Sequence, residues 1–255
     1  MAALEIRQIP VLKDNYVYLL REPDSGAVGA VDPSVAGPVL EALSRLDWKL
    51  THILNTHHHN DHTGGNLELK AATGCIIVGP LADRARIPGI DVAVGDGDNL
   101  NFGKAVAKVF DVPGHTRGHI AYWFAESKAL FSGDTLFLMG CGRLFEGTPA
   151  QMWSSLGKLK KLPPETRIYC GHEYTQANAR FALTVEPGNA ALATRARHVD
   201  ALRAQGKSTI PGTMGDELAT NPFLRADVPA LQQAMGAPGD DIATFAAIRR
   251  AKDNF

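Results

Sequence analysis

The residues best suited to chemistry crowd into one short run, Thr56-His57-His58-His59-Asn60-Asp61-His62. It reads His-x-His-x-Asp-His. Neutral imidazole nitrogens and carboxylate oxygens are the donors that zinc, iron and manganese take. Such a pattern arises by chance on the order of once in a thousand sequences of this composition, so a merely solvated loop is the weaker interpretation. If the strand holding Ile53 and Leu54 runs on, His57 and His59 project the same way and grip one ion. Asp61 and His62 come where the chain turns, before Thr63-Gly64-Gly65, and suit a second ion. Four side chains divided between two ions leave both under-coordinated, so further ligands are required.

Three later residues meet that requirement by one shared placement, each at the end of an apolar strand-like run. His115 follows Val109-Phe110-Asp111-Val112, Asp134 follows Leu130-Phe131, and His172 follows Ile168-Tyr169-Cys170. Strand ends opening on one edge of a sheet are where sites are built. A glycine precedes each residue (Gly114, Gly133, Gly171) and permits a sharp turn and close approach.

The elements that position these residues follow from periodicity. Strands are expected at 4–9, 16–20, 27–31, 51–55, 75–78, 105–112, 120–124, 128–131 and 167–170, with helices at 35–46 and about 64–72. Thr148-Pro149-Ala150-Gln151 is a helix start with N-cap, Pro at the first position and Gln at the third. Residues 80–103 read as loop with short strands. Beyond residue 174 strand patterning gives way to helical periodicity at 175–184, 189–205, 229–235 and 240–251. The expectation is an α/β catalytic domain over 1–173, with two mixed sheets packed face to face and helices outside, then a helical domain over 174–255.

Composition narrows the function classes. The 255 residues carry 26 basic and 27 acidic side chains, so no basic field points to nucleic acid. No apolar run approaches a bilayer span, and the N-terminus lacks signal-peptide regions. Three cysteines, Cys75, Cys141 and Cys170, form no C-x-x-C and read as reduced thiols of a cytoplasmic protein. No membrane partner is expected.

The set Thr56–His62, Pro113-Gly114-His115-Thr116, Ser132-Gly133-Asp134-Thr135 and Cys170-Gly171-His172-Glu173 resembles the metallo-β-lactamase-fold hydrolases. Within them, Cys141–Gly147, His172-Glu173-Tyr174-Thr175, Asn221-Pro222-Phe223-Leu224-Arg225 and Arg249-Arg250-Ala251-Lys252-Asp253 resemble the hydroxyacylglutathione hydrolases, or glyoxalase II enzymes. The resemblance implies an α/β (α+β) fold, an αββα sandwich with a C-terminal helical domain that helps bind glutathione. It implies two divalent metal ions, zinc foremost with iron or manganese as alternatives. His57, His59 and His115 go to the first ion, Asp61, His62 and His172 to the second, and Asp134 bridges them with a solvent molecule; Asp134 and Asp61 are the catalytic carboxylates. Arg143, Tyr174, Arg249 and Lys252 are implied as glutathione contacts. The family often has Lys at position 143 and Tyr at 145; Arg143 keeps the charge, whereas Phe145 lacks a phenolic hydroxyl.

The implied activity is hydrolysis of S-(2-hydroxyacyl)glutathione, such as S-D-lactoylglutathione, in the last step of methylglyoxal detoxification. An activated water attacks the thioester, and a thiolate, of thiol pKa about 8.5, leaves without a strong acid. A monomer is expected. The alternative is an iron-dependent glutathione persulfide dioxygenase, or another hydrolase of the same fold. His58 is expected to point away from the ligands and His119 to be structural. His52 and His198 belong to no constellation, and Cys141 has no paired histidine to make it a nucleophile.

Overall fold

Alternating and continuous apolar runs build the first half of the chain into sheet, in a computed structural model that describes residues 3–255. Met1 and Ala2, where the signal-peptide expectation begins, lie outside the described residues. The chain packs as two compact units, Met1–Asp111 with Thr116–Gly133, and Val112–His115 with Asp134–Phe255.

The first unit runs β1 (Glu5–Val11), β2 (Asn15–Arg21), β3 (Val28–Val31), α1 (Ala36–Leu46), β4 (His52–Leu54), α2 (Asn60–Thr63), α3 (Asn66–Thr73), β5 (Ile76–Pro80), a 3-10 turn (Leu81–Arg86), β6 (Val92–Val94), β7 (Asn99–Phe102), β8 (Ala105–Asp111), β9 (Ile120–Phe124) and β10 (Ala129–Gly133). One sheet has the order β1-β2-β3-β4-β5-β6. Its first pairings, β1 with β2 and β2 with β3, are antiparallel, and β3 to β6 run parallel. The antiparallel ladder β7-β8-β9-β10 forms the other sheet of this unit.

Period-2 alternation decides which side chain goes where. Val17, Leu19, Val28, Ala30, Ile53 and Ile77 face the helix layer, where they meet Val39 and Leu43 of α1 and Leu69 of α3. The intervening residues face the second sheet. Tyr18 packs on Phe131 at 5.6 Å between ring centroids, and Phe102 on Phe124 at 6.2 Å. Gly29 leaves room for Phe102, since a Cβ there would come within 3.0 Å of the ring. Each fully buried side chain of this size stabilises the fold by roughly 1.5–3 kcal/mol.

The second unit holds the hairpin β11 (Leu136–Phe137) and β12 (Gly140–Cys141), α4 (Pro149–Leu159), β13 (Arg167–Cys170), α5 (Thr175–Val185), α6 (Ala190–Ala204), β14 (Gly212–Thr213), α7 (Met214–Thr220), α8 (Pro229–Ala234) and α9 (Asp241–Asp253). The Thr148/Gln151 capping box and Pro149 start α4 as its sequence dictates. The hairpin is held by polar groups from α7 and the turn after it. Buried Glu217 accepts from Met139 N at 2.7 Å, and Asn221 Nδ2 donates to the Phe137 and Gly140 carbonyls at 3.2 and 3.0 Å. Glu217 is paired with Arg195 at 2.5 Å. Burial raises the carboxyl pKa of Glu217, and Arg195 opposes the shift. Neither the hairpin nor α7 has an amphipathic period long enough to read from sequence. Among the described residues, no helix is long and apolar enough to cross a membrane.

Candidate metal centre

The loop that carries the histidine run is not a continuation of β4. The strand stops at Leu54, residues 55–59 are irregular, and Asn60–Thr63 close into the single helical turn α2. The conditional strand argument for His57 and His59 therefore does not apply, yet the two side chains converge. His57 Nε2 lies 3.2 Å from His59 Nδ1. Two nitrogens on one tetrahedral zinc at 2.0–2.1 Å would be about 3.3 Å apart, so the spacing fits donors to a common cation. Asp61 and His62 sit together on α2, with His62 Nε2 3.5 Å from Asp61 Oδ2.

Residues outside the run hold it in place. Asp32, at the end of β3 and with φ of 49°, is 3% exposed. Its carboxylate accepts from Thr56 N and Thr56 Oγ1, both at 2.7 Å, and meets His62 Nδ1 at 3.1 Å. A carboxylate can only accept here, so His62 carries its proton on Nδ1 and leaves Nε2 as a donor to metal. Asp32, His57 and His62 also form a donor cluster with ligand atoms within 4.8 Å of one another. Asn15 Nδ2 donates to the Asp61 carbonyl and to Asp61 Oδ2, each at 3.1 Å, and Ser34 Oγ donates to the same carbonyl. Sequence reasoning missed Asp32, Asn15 and Ser34 as site components. Asp32 had the strand-end placement that singled out Asp134; Asn15 offered only a turn signal. His119 stacks on His57 at 4.6 Å and 18°.

In the second unit the three strand-end residues meet. His115 Nε2 and His172 Nε2 lie 3.5 and 3.3 Å from the same atom, Asp134 Oδ2. All three residues are 5% exposed. His115 Nδ1 donates to the Arg143 carbonyl at 2.9 Å, which fixes its tautomer with Nε2 toward Asp134. Two imidazoles aimed at one carboxylate oxygen, with no cysteine in the set, are donors suited to divalent cations.

The proposed peptide contacts divide by environment. Arg143 is exposed, with its side chain 3.9 Å from Asp253. Tyr174 stacks on His172 at 4.7 Å and 4°, and Phe145 lies 5.1 Å from the ring of His115. Lys252 is half-buried over Phe181 and Phe255 and donates to the Ala177 carbonyl at 3.2 Å. Arg249 is turned inward: it is 5% exposed, donates to the Cys141 carbonyl at 2.9 Å, and is forked onto Asp253. Burial raises the thiol pKa of Cys75, pushes that of Cys141 up to about 11, and lifts that of Cys170 further. All three thiols are protonated near neutrality and poorly suited as nucleophiles.

Comparisons with known proteins agree with this chemistry. The metallo-beta-lactamase superfamily profile matches residues 14–172, and that of the hydroxyacylglutathione hydrolase C-terminus matches 173–255. A hydroxyacylglutathione hydrolase of Methylococcus capsulatus is 63% identical over 99% of both chains. One of Rhodospirillum rubrum is 59% identical over the full length of each. Among solved structures, ETHE1 from Myxococcus xanthus superposes with a TM-score of 0.67 at 24% identity, covering 98% of this chain and all of that one. TTHA1623, solved in a di-iron-bound form, gives a TM-score of 0.60 at 26% identity over 86% of this chain and 99% of its own. The chain has the metallo-β-lactamase fold, followed by a helical C-terminal region, and it belongs to the hydroxyacylglutathione hydrolase family of the metallo-beta-lactamase superfamily.

Proposed function

We propose that the chain hydrolyses S-(2-hydroxyacyl)glutathione thioesters, S-D-lactoylglutathione among them, with two divalent metal ions of which zinc is the foremost candidate. The observation that carries the metal part is the convergence of His115 and His172 on one oxygen of Asp134. His57, His59 and His115 would hold one cation, Asp61, His62 and His172 the other, and Asp134 would be shared. When bound, such cations supply Lewis acidity that acidifies a water and polarises the thioester carbonyl.

The chain's own residues do the rest. Asp32 and the Arg143 carbonyl keep His62 and His115 in the tautomers that present Nε2. Tyr174 and Phe145 provide apolar walls beside His172 and His115, against which an acyl group can lie. Arg143 and Lys252 supply charge for the peptide carboxylates. A glutathione thiolate leaves without an acid, and no acid stands in the set. The division into a catalytic domain over 1–173 and a glutathione-binding helical domain over 174–255 belongs to the same proposal, as do cytoplasmic action and a monomeric state. Full-length relatives named hydroxyacylglutathione hydrolase favour this reading over the persulfide dioxygenase.

The test is thioester turnover by the purified protein, followed before and after chelation, with metal counted per chain. Two equivalents and chelator-sensitive hydrolysis are expected. Turnover that survives complete metal removal would sink the proposal. A pH test addresses Lys252. Burial lowers its pKa, with Arg249 and Arg143 adding to the shift. A cation with a lowered pKa loses its charge at a lower pH than a solvated lysine. The KM for the anionic thioester should therefore rise on the alkaline side earlier than for a solvated lysine, while Lys252→Arg should hold KM flat there. Equal alkaline profiles for the two proteins would remove Lys252 from substrate binding.

A further inference from the structure

His58 stands between two proposed ligands and is not one of them. Its Nδ1 lies 3.0 Å from Asp83 Oδ2, and its Nε2 lies 3.1 Å from Arg86 Nη1. Arginine can only donate and an ionised carboxylate can only accept. His58 therefore carries its proton on Nδ1 and accepts at Nε2. Arg86 closes the ring by donating to Asp83 Oδ1 from Nε at 3.0 Å and from Nη2 at 2.5 Å. The three side chains form a complete circuit, each bonded to both of the others.

The circuit is built into the interior. Asp83 is 3% exposed, and the backbone of Gly118 closes over its carboxylate. A Cβ at Gly118 would come 2.2 Å from Asp83 Cγ, so no larger residue fits without displacing the carboxylate. Just beyond Gly118, Ile120 N donates to the Thr56 carbonyl at 2.9 Å, and His119 stacks on His57. Asp83 thus touches the histidine loop directly through His58, and it packs under the segment that holds Thr56 and His57.

Residues 55–59 lie outside strand and helix, so side chains must supply much of the order that a ladder gives elsewhere. We propose that Asp83, Arg86 and His58 form a clamp that positions His57 and His59 for their metal ion. Asp83 and Arg86 are positioning residues that act through His58. The inference rests on the assignment of His57 and His59 as ligands. It also predicts an asymmetry. Asp61 and His62 sit on α2, and Asn15, Ser34 and Asp32 hold them. The clamped loop meets α2 through the backbone, where His62 N and Thr63 N donate to the His59 carbonyl at 2.9 and 3.1 Å, and Asp32 also bonds Thr56. Loss of the clamp removes side-chain support from His57 and His59 alone, so it should loosen one ligand set far more than the other.

The experiment is a chelator-competition titration of the metal-free protein with zinc alone. Two binding steps are expected for the native chain. Asp83→Ala and Arg86→Ala should weaken one step by at least about tenfold and the other far less. Gly118→Ala should do the same, because its Cβ displaces the carboxylate. Asp83→Asn keeps an acceptor for His58 and should restore part of the affinity. Two unchanged steps in Asp83→Ala, or equal weakening of both, would overturn the clamp. If Asp83→Ala does not fold, Arg86→Ala, whose side chain is one-third exposed, reads the same step. A native chain that binds no zinc would instead overturn the ligand assignment, and the clamp with it.

Discussion

Asp134→Ala should nearly abolish thioester hydrolysis, lowering kcat/KM by about a thousandfold, and should lower metal content at both ions. The reason lies in one atom. Asp134 Oδ2 is the point on which both His115 Nε2 and His172 Nε2 converge. Alanine would leave two buried imidazoles facing each other without the negative charge that draws two dications together. The loss should not come from misfolding, because the backbone here is fixed independently. Gly133 precedes it with φ of 48°, a left-handed turn that glycine adopts freely. Gly142 packs on the Asp134 carbonyl so closely that a Cβ would come within 2.0 Å. Asp134→Asn keeps shape and one oxygen acceptor but removes the charge, so it should fall between native and alanine variants. Metal analysis beside single-turnover kinetics checks the series. Two full equivalents and native kcat in Asp134→Ala would remove the residue from its shared role.

The proposed ligands stand out in the sequence because their signal is local: donor type, spacing, and a glycine at the end of an apolar run. The α/β core was legible for a similar reason, since β2 and β9 are apolar runs of strand length and β8 buries alternate residues. What escaped is what depends on distant partners or on too few residues. Helix α2 has four residues, less than any period can reveal, so Asp61 and His62 read only as a turn and the placement of His57 and His59 hung on the strand running on. Asn15, Asp83 and Arg86 act across 46, 25 and 28 residues of sequence. Nothing near them in the chain marks the contact. Arg249, a glutathione contact by resemblance, is turned inward by packing that its own sequence neighbourhood does not announce. Phe245, Ile248 and Arg249 stand at i, i+3 and i+4, the spacing of one inward helix face. A charged residue at the last of these positions reads as solvated, but here it completes the buried stripe. Lys252, at i+7, ends the stripe and lays its stem over Phe181 and Phe255.

That packing separates two substitutions that sequence alone treats as equivalent. Lys252→Ala removes a half-buried cation that donates to the Ala177 carbonyl. If it meets a peptide carboxylate, the lost contact is worth about 1.5 kcal/mol, which raises KM about tenfold. A contact made equally in ground and transition states leaves kcat unchanged, and metal content should stay native. Arg249→Ala should behave differently. It strips the Cys141 carbonyl of its donor, releases Asp253, and removes the guanidinium 5.1 Å above Phe223. Asp253 is exposed, so the ion pair itself adds little; the buried carbonyl left without its donor costs about 1–3 kcal/mol, a fall in Tm of several degrees for a chain of this size. The damage should also reach the reaction. Cys141 leads through Gly142 to Arg143, whose carbonyl sets the tautomer of His115, and Gly142 packs on Asp134. Arg249→Ala should therefore lower kcat and loosen metal as well as raise KM. Thermal melts, metal analysis and steady-state kinetics on the two single variants decide the matter. An Arg249→Ala protein with native Tm, native kcat and only a raised KM would make Arg249 a plain substrate contact and refute the structural chain from α9 to the metal ligands.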